Sequence, residues 1–198
     1  MMLAQHGGLP YDAEIEYLQT DSAAYIDTGI AGDSDSLVIF IKYNRSSTVR
    51  YAGLYGNYYD ENHKCCRFII FSNTNGYFAI NSRAGESRSV TISGANNMVE
   101  LEHHRTYIIM NGVTRNVSPS SGGTANSQTI IVGKAGVGLP TRDIGLKVYY
   151  FRIENGGTTL FDAIPVRVGT VGYMYDRVSG QLFGNMGTGA FVLGPDIQ

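Results

Sequence analysis

Tyrosines crowd one short stretch of this chain. Tyr51, Tyr55, Tyr58 and Tyr59 are interspersed with Asn57, Asp60 and Asn62. Tyrosine rings offer flat apolar faces on which a pyranose can stack. Asparagine and aspartate side chains can then fix its hydroxyl groups, so the segment has the chemistry of a sugar platform. The ligand contacts are expected at Tyr55, Tyr58, Tyr59, Asp60 and Asn62. The plainer reading has Tyr51 and Tyr55 packing a strand.

Other residue sets invite chemistry and mostly fail on spacing. Asp27-Thr28-Gly29 is the triplet of aspartic proteases, but that chemistry needs a second such aspartate to share a proton. The nearest partner motif, Ile130-Ile131-Val132-Gly133, lies too far downstream for a small dimeric protease. Here the triplet is expected to be a turn that ends a strand. Glu100 and Glu102 stand on one face of a strand, as glycosidase carboxylates can, yet the longer acidic signature of such strands is missing. His63, Cys65, Cys66, His103 and His104 could be assembled into a zinc site only if strand neighbours pointed together, which they do not. No catalytic or metal-binding residue is therefore expected. Asp33 and Asp35 could contribute to a Ca²⁺ site, but the loop lacks the dense oxygen ligands of a self-contained one. Asn44-x-Ser46 and Asn116-x-Ser118 match the glycosylation sequon.

These residues must be positioned by strands. No window carries a sustained helical period, whereas short alternating or apolar runs recur along the chain. Leu37–Tyr43 and Leu146–Glu154 carry apolar residues on both faces and are expected at sheet centres. In the second of these, Leu146, Val148 and Tyr150 would share one face, and Tyr149, Phe151 and Ile153 the other. Met98–His103 alternates Val99, Leu101 and His103 against Glu100 and Glu102, which predicts one wet face. Asn111-Gly112 is a two-residue hairpin signal. Asn75-Gly76, Gly156-Gly157 and Ser179-Gly180 punctuate further. The expected fold is all-β, an antiparallel sandwich.

Composition sets the outer limits. A chain of 198 residues is long enough for one sizeable core, and 43% hydrophobic against 16% charged residues argues against disorder. A net charge of −2 gives no basic field for nucleic acid. No stretch approaches the roughly 18 apolar residues of a membrane span. Cys65 and Cys66 are adjacent, so on a strand they diverge and cannot pair with each other. Residues 1–12 are expected to form an arm ahead of a single domain over 13–198. The first ten residues have neither the basic nor the apolar region of a secretory leader. The loops 118–127 and 133–145 are expected to be exposed tips.

Tyr25-Ile26-Asp27-Thr28-Gly29 near the start, "LKVYYFRIENGGTTLFDAIPVR" and the tail "GYMYDRVSGQLFGNMGTGAFVLG" stand in a telling order. With "YAGLYG" and "QTIIVGKA" between them, the chain resembles the laminin-G-like, concanavalin-A-like jelly-roll modules of gut bacterial surface proteins and their bacteriophages. The likeness spans roughly residues 11–194. Lys134-Ala135 and the inserted-looking stretch 58–66 depart from it. Gly180, Gly187 and Gly189 are expected in tight turns with positive φ.

The resemblance implies a scaffold and carries over no catalytic or ligand residue. With no leader, the expected role is a non-enzymatic virion protein: a capsid decoration, head fibre or tail component. Residues 1–12 and the loops would contact neighbouring virion proteins in an oligomeric assembly, and the jelly roll would face a host glycan. The alternative is a bacterial surface or secreted carbohydrate-binding protein acting in adhesion, with a glycoside hydrolase behind it. Neither nucleic acid nor membrane insertion is expected.

Overall fold

The computed structural model describes residues 8–20, 23–32, 34–46, 52–57, 65–72, 75–82, 88–91, 97–116, 128–134 and 145–197. Its strands, in chain order, are β1 (Ala13–Glu14), β2 (Leu18–Gln19), β3 (Ile26–Ala31), β4 (Leu37–Arg45), β5 (Ala52–Gly56) and β6 (Cys65–Ser72). There follow β7 (Asn75–Ser82), β8 (Arg88–Thr91), β9 (Val99–His103), β10 (Tyr107–Met110), β11 (Val113–Asn116) and β12 (Thr129–Val132). The chain closes with β13 (Leu146–Asn155), β14 (Thr158–Val168), β15 (Val171–Asp176), β16 (Gln181–Phe183) and β17 (Val192–Leu193). No helix occurs among the described residues.

Two antiparallel sheets face each other. The larger runs β11-β10-β9-β4-β13-β14-β15-β16 and also takes in β1, β2 and β17. The smaller runs β3-β12-β5-β6-β7-β8. One apolar cluster joins them, with Ile26, Leu54, Tyr55, Ile130 and Val132 from the smaller sheet against Ile39, Ile41, Leu101, Phe151 and Phe161 from the larger. The expected all-β sandwich is what the chain forms.

Period-two alternation does most of the sorting. In β4, Leu37, Ile39, Ile41, Tyr43 and Arg45 are buried, while Val38, Phe40, Lys42 and Asn44 are half-exposed. The strand is central, between β9 and β13, but its second face is not buried as expected. β9 has the predicted wet face: Val99, Leu101 and His103 point inward and Glu100 outward.

β13 departs from simple alternation. Val148 pairs with Tyr43 and Tyr150 with Lys42, so Tyr149 is an extra residue, a β-bulge. The bulge resets the phase. Leu146, Val148, Phe151 and Ile153 are all buried, and Tyr149 and Tyr150 are both half-exposed. The expected division of this strand is thereby corrected: Tyr150 leaves the core set, and Phe151 and Ile153 join Leu146 and Val148.

Beyond the bulge β13 and β14 part. Phe151↔Ala163 is their last pair. Into the gap come β2, pairing Lys147 and Val148, and β1, pairing Val166 and Arg167. β17 then pairs with β2, and Ile15 bridges Asp196. Pro165 sits at the parting point, where its carbonyl accepts Ile15 N–H at 3.0 Å. A residue with no N–H suits the place where one partner strand gives way to another.

Of the Tyr25–Gly29 phrase, Ile26–Gly29 lie within β3 and do not end it, since the strand runs on to Ala31. Thr129 pairs with Ala31 but Ile131 pairs with Asp27, so β3 bulges there. Gly29, at φ 70°, supplies the left-handed residue. Asp27 Oδ1 accepts Gly29 N–H at 3.0 Å, and the buried Thr28 hydroxyl donates to Ile130 O at 2.8 Å.

The tail is organised by one side chain. Asn185 Oδ1 accepts the N–H of Tyr25 and of Gly187, while its Nδ2 donates to the carbonyls of Gly187 and Gly189. Of the three tail glycines expected at positive φ, only Gly180 has it, at 71°. Gly187 is required for a different reason: a Cβ there would strike the carbonyl of Ala23.

Turn chemistry is otherwise as read. Asn111 and Gly112 take φ of 47° and 77°, the two-residue hairpin geometry between β10 and β11. Asn75-Gly76 opens β7 instead of forming a turn.

Candidate functional site

The outward face of the larger sheet gathers the polar and aromatic groups best placed to meet a ligand. Its middle is built by β9, β4, β13 and β14, side by side. Cross-strand register places Glu102 beside Phe40, Phe40 beside Arg152, and Arg152 beside Asp162. One step along, Glu100 neighbours Lys42, and Lys42 neighbours Tyr150. Neighbours of this kind lie close enough to act on one ligand.

Tyr150 is the centre of this face. Burial raises the pKa of its hydroxyl, and Arg152 and Asp162 lie close enough to act on it, so it stays a neutral phenol at physiological pH. Asp162 also takes a two-pronged bond from Arg177, at 3.0 Å from Nε and 2.9 Å from Nη2. Arg152 donates to Glu154 and, at 3.2 Å, to Thr159 Oγ1. Its guanidinium carbon lies 5.4 Å from the centre of the Phe40 ring. The rotamers around Tyr150 are thus held by partners, which is what a preorganised binding face needs.

Aromatic rings flank this centre on two sides. Toward the sheet edge, His104 stacks on Tyr107 with ring centres 4.1 Å apart. On the other side Tyr149 meets Tyr17 edge-on at 5.5 Å. The face can therefore offer ring surfaces together with charged donors and acceptors, the combination a carbohydrate requires.

The expected platform at 51–62 fares differently. Tyr55 is wholly buried, packed edge-on against Phe151 at 5.8 Å. Its hydroxyl meets His103, so its ring is not open to a sugar; the reason is that β5 is flanked by β12 and β6 and turns Tyr55 into the core. Asn57 is also buried and donates to Gln128 O at 3.4 Å. Tyr51, Tyr58, Tyr59, Asp60 and Asn62 lie outside the described residues.

Glu100 and Glu102 share the outward face, but each has its own side-chain partner. Lys42 Nζ is 2.9 Å from Glu100, and His104 Nε2 is 3.4 Å from Glu102. His103 and His104 diverge, the first buried at Tyr55 and the second on Tyr107. Asp35 is bound by Arg105, and Asp33 lies outside the described residues. Among the described residues no three His, Cys, Asp or Glu side chains gather as metal ligands would.

Sequence reading missed Phe40, Tyr150, Arg152 and Asp162. The signal was present: Lys42, Arg152 and Glu154 are charges at alternate positions in runs that looked buried on both faces. Neither the protein-family models nor the curated protein sequences give a match to this chain.

Proposed function

We propose that this protein is a non-enzymatic, lectin-like jelly roll that presents the outward face of its larger sheet to a glycan. We further propose a bacteriophage virion as its carrier, where it would serve as a capsid decoration, head fibre or tail component. The glycan reading rests on one observation: the β13 bulge sets two consecutive tyrosines on the same half-exposed face, beside the cross-strand neighbours Arg152 and Asp162. The virion reading rests on the likeness of the Tyr25–Gly29 phrase and the tail to phage and gut-bacterial modules. A bacterial surface protein would use the same face.

A neutral-glycan panel tests the binding face. Tyr150→Ala and Arg152→Ala should each weaken binding by about tenfold or more. Far-UV circular dichroism should remain unchanged. Full binding by both variants would overturn the assignment. For the carrier, residues 1–10 are the segment to remove. Tyr11 and Asp12 must stay, because Tyr11 packs on Tyr175 at 5.0 Å and Asp12 accepts Gly169 N–H at 2.6 Å. The truncated chain should fold and fail to join particles; normal incorporation would refute an anchoring arm.

A further inference from the structure

Lys147 differs from the other cations of the outward face. Lys42 is paired with Glu100, Arg152 with Glu154 and Arg177 with Asp162. Among the described residues no carboxylate lies within ion-pair distance of Lys147. Its ammonium rests instead 4.2 Å from the centre of the Tyr17 ring. Tyr149 meets that ring edge-on, and Gln19 and Asn44 are the cross-strand neighbours of Lys147 on either side. All five residues are half-exposed. Burial, and to a smaller extent Glu16, raise the pKa of the Tyr149 hydroxyl.

We infer that Tyr17, Tyr149 and Lys147 form a subsite for an acidic sugar, a uronate within a longer polysaccharide. This rests on the glycan reading of the same face and names the ligand class. A pyranose ring packs on the tyrosines, and its carboxylate takes the ammonium as the partner the protein does not supply. The amides of Gln19 and Asn44 serve neighbouring hydroxyls. The site adjoins Tyr150 through the bulge, so one chain can span both. An ammonium held over a ring is partly stripped of water, which favours a carboxylate over a neutral hydroxyl.

Two polymers of one backbone separate charge from shape: polygalacturonate and its fully methyl-esterified form. The intact protein should bind the acid at least about tenfold tighter, and added salt should erode the difference. Lys147→Met should abolish the preference, by weakening binding of the acid far more than that of the ester. Lys147→Arg should keep the preference, and Tyr17→Ala should weaken both. Equal binding of acid and ester by the parent protein would overturn the subsite, as would a preference that survives Lys147→Met. Binding of neither polymer would overturn it too. The broader glycan reading stands or falls separately, on the neutral panel with Tyr150→Ala.

Discussion

The Tyr55 hydroxyl and His103 Nδ1 lie 2.5 Å apart at the centre of the sandwich. One residue belongs to the smaller sheet and the other to the larger, so this hydrogen bond ties the two layers through the core. Both side chains are 0 % exposed.

Tyr55→Phe should therefore destabilise the fold by about 1–2 kcal/mol, since it removes a buried hydrogen bond while keeping the ring. Urea unfolding measures this. Glycan binding at the outward face should be unaffected. A variant as stable as the parent would mean that the bond contributes nothing net.

Two glycines of positive φ should respond differently to alanine. At Gly29 a Cβ would meet nothing within 4 Å, so Gly29→Ala should cost only backbone strain, about 1 kcal/mol. At Gly133 a Cβ would lie 2.8 Å from Thr20 Cγ2 and 3.2 Å from Ala24 O. Gly133→Ala should cost about 2 kcal/mol or more. Equal denaturation midpoints would contradict the packing at Gly133.

Asn185→Ala should loosen the join between the tail and the start of β3. It deletes an acceptor for two N–H groups and a donor to two carbonyls, at a cost of about 2 kcal/mol. Amide exchange at Tyr25 and Gly187 should accelerate more than exchange in β4. Uniform acceleration across both regions would argue against a local role.

Arg167 holds Asp196 by two hydrogen bonds, at 2.8 and 2.6 Å, and these lower the carboxyl pKa. Its stabilising contribution is complete above the unfolded value of about 4 and disappears as pH falls through the lower folded value. Parent and Asp196→Asn should differ in Tm near neutral pH and converge in strong acid. A gap that widens on acidification would exclude the clasp.

Most of the architecture could be read from the residues, because alternation and turn chemistry are local. The runs Leu37–Tyr43, Met98–His103 and Leu146–Glu154 fall on β4, β9 and β13, within a residue or two of the observed bounds. β11 carries little apolar signal, because its four residues are all exposed. The bulges at Gly29 and Tyr149 were invisible for another reason. A bulge is defined by the partner strand, and a period-two reading carried across it assigns every later residue to the wrong face. That error hid Tyr150 and Arg152, and with them the candidate site. Tyr55 misled in the opposite sense: its tyrosine-rich neighbourhood looked like a surface, while its strand lies inside a sheet.

The interleaving of β1 and β2 with β17 has a mechanical meaning. Ile197 N–H bonds to Glu14 O, Ile15 bridges Asp196, and Leu193 pairs with Leu18. The two ends of the described chain thus run antiparallel and leave the domain side by side. A load pulling those ends apart would open this ladder like a zipper, one rung at a time, starting at Glu14 and Ile197. A load on the outward face, with both ends fixed to the same support, would not strain the ladder at all.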